Sequence, residues 1–237
     1  MNDYNSEVYV NYGNLVSFPA GSNELYMQDV LNSCLLAQLA SDKKMSRFSS
    51  PDYWLINYKK TLGSIFWHFT GSIFDTHKPA DGAENMVIIK VIGDFFKQNA
   101  ARCVYISAMN SMNLMLKKLR GDSALAVFHT GSYQETDAVD CILHSCPQNF
   151  TRVNVQVSAI SETNIVTAFC LFFVTSESVT DKLLSQKFAT NKIIGNIHSY
   201  AVTAELLAGN YATIRETVIN KLQGKGKDYI LPLSRNN

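Results

Sequence analysis

The run Arg152-Val153-Asn154-Val155-Gln156-Val157-Ser158-Ala159 alternates polar and apolar residues without a break. Ile165-Val166-Thr167-Ala168-Phe169-Cys170-Leu171-Phe172-Phe173-Val174 follows it across a Ser161-Glu162-Thr163-Asn164 turn. Successive strand side chains point to opposite faces, so the alternation predicts a strand with one core face and one wet face. The second run is apolar on both faces, which predicts a central strand covered on both sides. Residues 137–146 read as a strand before this pair and residues 192–202 as one after it. Asn210 caps a predicted helix over 211–223, ended by Gly224, and residues 229–231 form a short last strand stopped by Pro232.

Ahead of this sheet-forming half the period is helical. Residues 8–12 and 15–18 are β-type runs around Gly13-Asn14, either the arms of a tight hairpin or one extended strand. Ser22 or Asn23 then caps a helix to Met45, with Leu25, Val30, Leu31, Cys34, Leu35 and Leu39 at helical spacing. Ser50-Pro51 starts a second helix. It carries Trp54, Tyr58, Leu62, Ile65, Phe66 and Phe69 and stops near Gly71, before a loop over 75–82. A third helix is predicted over 84–98. A fourth runs over 101–120, closed by Gly121, with Met109, Met112 and Met115 read as core or, alternatively, as a soft, repackable contact surface. The expected architecture is α/β (α+β), one domain over 1–237, with helical hairpins over 22–120 and a sheet-forming half over 121–237. Its sheet is mainly antiparallel, with helical hairpins on both faces.

The chain has 237 residues, 46% hydrophobic and 17% charged, with a formal net charge of +1. That length buries a core without metal or disulfide staples. A near-zero charge argues against a nucleic-acid binder, which carries a basic excess. It also gives weak colloidal repulsion, so a homo-oligomer is expected. The longest apolar run is about half of the ~20 residues a membrane-crossing helix needs, so no constitutive transmembrane segment is expected. The N-terminus lacks the basic and apolar regions of a signal peptide. The protein is therefore expected to be made in the cytoplasm, and released or stored as inclusions. Five cysteines, an odd number, are expected to be reduced thiols without a disulfide framework.

Chemistry-bearing motifs are sparse. In Cys141-Ile142-Leu143-His144-Ser145-Cys146, strand parity puts Cys141 on one face and His144 with Cys146 on the other. Two ligands fall short of the four, or three plus water, that zinc takes. Five histidines (His68, His77, His129, His144, His198) accompany five cysteines, and no spacing pairs them as base and nucleophile. Gly224-Lys225-Gly226-Lys227 follows a helix, whereas a phosphate cradle precedes one. Glu135, Asp137, Asp140 and Glu205 are read as solvated carboxylates. No catalytic residue, metal or cofactor is expected. One feature exceeds what a core needs: Ile65-Phe66-Trp67-His68-Phe69 is apolar nearly all round a helix. One face must be core, and the other calls for a second layer, a partner or a membrane. Phe66, Trp67 and Phe69 are thus the candidate contacts for a lipid bilayer or for self-association.

The order of elements resembles the architecture of Cyt-type δ-endotoxins and related cytolytic virulence proteins. The resemblance is carried by helices over 24–45 and 50–70, helices over 84–98 and 101–120, and strands over 151–160, 165–176 and 192–202. Cleavage segments of the kind that family's protoxins carry are not recognisable in this chain. The resemblance implies helical hairpins that peel away and a sheet that engages the bilayer. The expectation is a non-enzymatic, membrane-active, pore-forming or cytolytic protein, soluble before it rearranges. The alternative is a cytoplasmic self-associating or partner-binding protein, and an enzyme with a site assembled from distant residues ranks third.

Overall fold

In the computed structural model, which describes residues 6–79, 85–137 and 149–233, the chain opens with a hairpin of β1 (Ser6–Asn11) and β2 (Asn14–Pro19). Asn11 faces Asn14 across it, so Tyr12-Gly13 form the turn, one residue earlier than Gly13-Asn14. Tyr12 adopts φ 57° there. Helix α1 (Glu24–Asp42) is capped by Asn23, whose side chain accepts from the Tyr26 N–H at 3.0 Å. Helix α2 (Pro51–Ser64) has proline at its start, where no N–H is needed.

That helix ends earlier than its apolar pattern predicts. Phe66 takes a left-handed φ of 69°, and the chain continues as strand β3 (Trp67–His77). Residues read as a helix end and a loop are instead extended, because their backbone pairs with a neighbouring strand from Trp67 to His77. Tertiary pairing overrides the local helical spacing. Strand β4 (Asn85–Val87) and helices α3 (Ile88–Asn99) and α4 (Arg102–Leu116) follow. Helix α5 (Ser123–Ser132) is absent from the sequence reading; Asp122 caps it, accepting from the Ala124 and Leu125 N–H groups at 2.8 and 3.3 Å. Strands β5 (Tyr133–Asp137), β6 (Asn149–Ile160), β7 (Ile165–Thr175), β8 (Lys187–Ala189) and β9 (Ile193–Leu206) come next. The helix expected over 211–223 is two pieces, α6 (Ala208–Tyr211) and α7 (Arg215–Leu222), so Asn210 lies inside a helix and caps none. Helix α8 (Gly226–Tyr229) leads into β10 (Ile230–Pro232).

The main sheet has the order β10-β1-β2-β6-β7-β9-β3, with β5 also on β6. Every pairing is antiparallel except β2 with β6. Strand β7 is central, as its two apolar faces predict. The sheet is not confined to the second half, since β1, β2 and β3 join it.

Helices cover both faces. On one face Val153, Val155, Val157, Leu171 and Phe173 pack with Ile88, Ile92 and Phe96 of α3, Met112 and Met115 of α4 and Phe128 of α5. Met112 and Met115 are thus core, with Met109 half-buried against the same cluster, as the core reading of these methionines has it. On the other face Val16, Trp67, Val166 and Ala204 pack with Val30 and Leu31 of α1, Leu62 of α2 and Val218 of α7. The face of β6 expected to be wet is covered too: Asn154, Gln156 and Ser158 are only 1%, 6% and 5% exposed. Among the described residues no helix is long and apolar enough to cross a membrane.

Candidate functional site

Covering a polar strand face obliges its groups to find partners, since a buried polar group left unpaired is costly. Arg47, in the connection between α1 and α2 and 1% exposed, supplies the partner of Asn154, while Ser158 pairs with Asn14 and Gln156 Nε2 has no hydrogen-bond partner among the described residues. The Arg47 Nε and Nη2 donate to the two carboxylate oxygens of Asp42 at 3.0 and 2.7 Å. Its Nη1 donates to Gln38 Oε1 at 3.0 Å and to the Gly131 carbonyl at 3.3 Å. The guanidinium lies 4.4 Å from the Tyr12 ring centre and 4.6 Å from that of Trp54. Trp54 Nε1 in turn donates to Asp42 Oδ1 at 2.7 Å. The Arg47 carbonyl accepts from Asn154 Nδ2 at 3.0 Å, which ties the cluster to β6. A planar fork with five donors, stacked between aromatic rings, is the one side chain that satisfies all these contacts.

Further polar contacts extend this seam along α1. Gln38 Nε2 donates to the Asn11 carbonyl at 2.9 Å, and Asn11 Nδ2 to the Leu31 carbonyl at 2.8 Å. Tyr26 donates to the Asn164 carbonyl at 2.9 Å. Asp29, 2% exposed, receives Arg215 through two 2.7 Å bonds. The two coverings of the sheet therefore differ: α3 to α5 sit on an apolar face, while α1 adds hydrogen bonds and a buried ion pair to its apolar contacts with Val16, Trp67, Val166 and Ala204.

The second feature is the ribbon of β3 with β9. Strand β3 ends the sheet's order, and every residue from Thr70 to Lys78 is exposed. Ile73 and Phe74 are 53% and 56% exposed, and Ile194 on β9 is 37%. The Phe74 ring is 6.3 Å from His198, which also lies 5.8 Å from Phe172.

The expected contact residues are arranged differently from the helical reading. Trp67 is buried, its Nε1 donating to Ser33 Oγ at 3.0 Å. Phe66 is half-buried at the left-handed turn, its carbonyl accepting from the Leu207 N–H at 3.0 Å. Phe69 is half-buried on β3, with Lys59 Nζ 5.2 Å from its ring. The three share no helix face, because α2 has ended before them. The exposed apolar side chains follow instead, at Ile73 and Phe74. Their signal in the sequence is the β-type run Ser72-Ile73-Phe74-Asp75-Thr76.

The titratable candidates are scattered. Burial pushes the Cys34 thiol up to about 12, which leaves it a core residue and no nucleophile. His68 Nδ1 stands 3.3 Å from the half-buried Glu205, and His77 Nδ1 2.9 Å from Asp75, with both histidines and Asp75 exposed. His129 is half-buried, its pKa lowered by burial, and its Nε2 has no hydrogen-bond partner among the described residues. Among the described residues no three His, Cys, Asp or Glu side chains are grouped to hold a metal. Asp140, Cys141, His144 and Cys146 lie outside the described residues. An open groove of about 510 Å³ runs past Tyr26, Asp29, Glu162 and Arg215, but Arg215 already spends its charge on Asp29.

No family model and no curated protein matches the sequence. Solved structures of similar architecture include two chains. One is the activated Cyt2Ba monomer from Bacillus thuringiensis subsp. israelensis, with a TM-score of 0.47 and 10% identity over 83% of this chain and 98% of that one. The other is a delta-endotoxin, with a TM-score of 0.43 and 10% identity over 81% of this chain and 80% of that one. The resemblance is one of architecture at low identity, in a mixed α/β fold whose sheet is mainly antiparallel.

Proposed function

We propose that this is a non-enzymatic membrane-active protein, cytolytic or pore-forming, that folds in solution and rearranges at a bilayer. The observation that supports this reading is the block of neighbouring antiparallel strands β6, β7, β9 and β3. They are 12, 11, 14 and 11 residues long, and a membrane-crossing strand needs about 9–11. One face of β6 carries Val153, Val155 and Val157, continued by Leu171 and Phe173 on β7. The middle of its other face carries Arg152, Asn154, Gln156 and Ser158. A strand apolar on one side and polar on the other suits lipid on one side and water on the other.

Both coverings are exchangeable on this reading. Lipid tails are as apolar as the side chains of α3 to α5, so they replace those helices without loss of apolar contact. On the other face the polar groups of β6 exchange protein hydrogen bonds for water, at a net cost of about 0.5–1.5 kcal/mol each, while the apolar cluster around Val16, Trp67 and Val166 gives up its contacts with α1. The test is dye release from phosphatidylcholine–phosphatidylglycerol liposomes. It is combined with a polarity-sensitive fluorophore at single cysteines from 153 to 158, in a chain whose native cysteines are alanine. The expected result is leakage with blue-shifted emission at 153, 155 and 157 and aqueous emission at 154, 156 and 158. Absence of leakage, or leakage without that alternation, overturns the sheet-inserting reading.

A further inference from the structure

The two ends of the main sheet are finished differently. Strand β10, at one end, has three residues and contains Pro232, which lacks a donor and blunts the edge. Strand β3, at the other, has eleven residues and no proline. Its outer side has no strand partner among the described residues, and an exposed strand of that length is a template for another. Its one irregularity is a bulge at Thr70, where Phe69 faces Ala204 and Gly71 faces the next residue back, Thr203. The bulge fixes which β3 side chains share a face: His68, Gly71, Ile73 and Asp75 on one, Trp67, Phe69, Ser72, Phe74 and Thr76 on the other.

We infer that β3 is a self-association edge, pairing antiparallel with β3 of a second copy of this chain about a two-fold axis at Ser72. A two-fold pairing must place residues of the same face opposite each other. With the bulge residue looped out, the register centred on Ser72 does so along the whole strand. It sets Phe69 opposite Phe74 of the second copy, Gly71 opposite Ile73, and His68 opposite Asp75, each pair occurring twice. The aromatic pair covers the exposed Phe74, the glycine leaves room for the exposed Ile73, and the histidine meets a carboxylate. Side chains along the edge, with His68 turning from Glu205 and Asp75 from His77, thus become complementary to a second β3. This surface is independent of the membrane reading, and its association is measured in solution without lipid.

Sedimentation of the full chain over a concentration series, with mild oxidation of single-cysteine variants, tests the inference. The wild type is expected to reach dimer mass, and Ile73→Lys to weaken association by about tenfold or more, since the change enters twice. Ser72→Cys puts two thiols across the axis at the ~4.5–5.5 Å Cα spacing of directly opposed residues, within disulfide range. It is expected to give a covalent dimer well above the background of the parent with its five native cysteines replaced by alanine, while Thr76→Cys, opposite Trp67, does not. A monomer at every concentration overturns the inference. So does a dimer that is indifferent to Ile73→Lys, or one in which Thr76→Cys cross-links as readily as Ser72→Cys.

Discussion

Arg47 and Asp42 form a two-pronged pair, Nε to Oδ1 at 3.0 Å and Nη2 to Oδ2 at 2.7 Å, at the point where α1, α2, the β1–β2 turn and β6 converge. The arginine is sealed from water and the carboxylate is partly open, with side-chain exposures of 2% and 26%. The pair orients the guanidinium so that its remaining donors reach Gln38 and Gly131.

Removing the arginine leaves Asp42, Gln38 and the Gly131 carbonyl short of a donor. Arg47→Ala is expected to cost about 3–5 kcal/mol, the range for breaking a buried pair. Arg47→Lys is expected to recover little of it, because an ammonium cannot span both carboxylate oxygens and the Gln38 amide. Urea unfolding of the two variants checks this; a lysine variant as stable as the wild type counts against the fork geometry.

Gly13 and Gly131 cross so closely that a Cβ on either would overlap the backbone of the other. No side-chain rotation relieves a clash between main chains. Gly131→Ala is expected to cost upwards of about 3 kcal/mol, at or beyond the usual range for overpacking. Gly209→Ala, where a Cβ meets nothing within 4 Å, is expected to stay within about 0.5 kcal/mol of the wild type. Thermal melts of the two variants give the comparison.

The aromatic stretch separates into core and surface. Trp67→Ala is expected to cost about 3–5 kcal/mol, because its ring is buried and the Ser33 hydroxyl loses a donor. Phe74→Ala, at a position 56% exposed, is expected to change stability by no more than about 0.5 kcal/mol. Any loss of liposome leakage or dimer in Phe74→Ala then reports on contact, not on folding. A melting temperature that falls as far for Phe74 as for Trp67 would place Phe74 in the core.

What the sequence makes legible is what depends on local pattern. Strand β7 is readable because both its faces are apolar, and the start of α2 because Pro51 follows Ser50. Strand β3 is not, because the bulge at Thr70 and the adjacent Ile73 and Phe74 break its alternation, and Gly71 imitates a helix stop. The alternation in β6 tells which side chains share a face, but not that Arg47 in the α1–α2 connection comes to cover the polar one. The Arg47 cluster draws on positions 12, 38, 42, 54, 131 and 154, whose proximity exists only after folding. For the same reason Gly131 gives no local hint that Gly13 lies against it.

His129 links stability to pH. It sits in the last turn of α5 between the Phe128 and Tyr133 rings, at centroid distances of 6.3 and 5.4 Å. Burial lowers its pKa from the ordinary 6.5, and the attraction of Asp181 opposes that only in part. The unfolded chain therefore takes up a proton near pH 6.5 that the folded chain accepts only at lower pH. Between those two values the unfolded state binds more protons, so stability rises with pH across the window and falls as pH drops through it. Well above pH 6.5, by about pH 7.5, both states are neutral at this residue and the effect vanishes. Asp122, held below 3.8 by Lys118 and the α5 amides although burial works against it, acts in the same direction but in a more acid window. The expected outcome is a loss of stability on acidification from about pH 7 to 5, shallower in His129→Phe, which keeps a ring between its neighbours and cannot be protonated. Denaturant midpoints at each pH measure the slope; an unchanged slope in His129→Phe would show that another group carries the acid sensitivity.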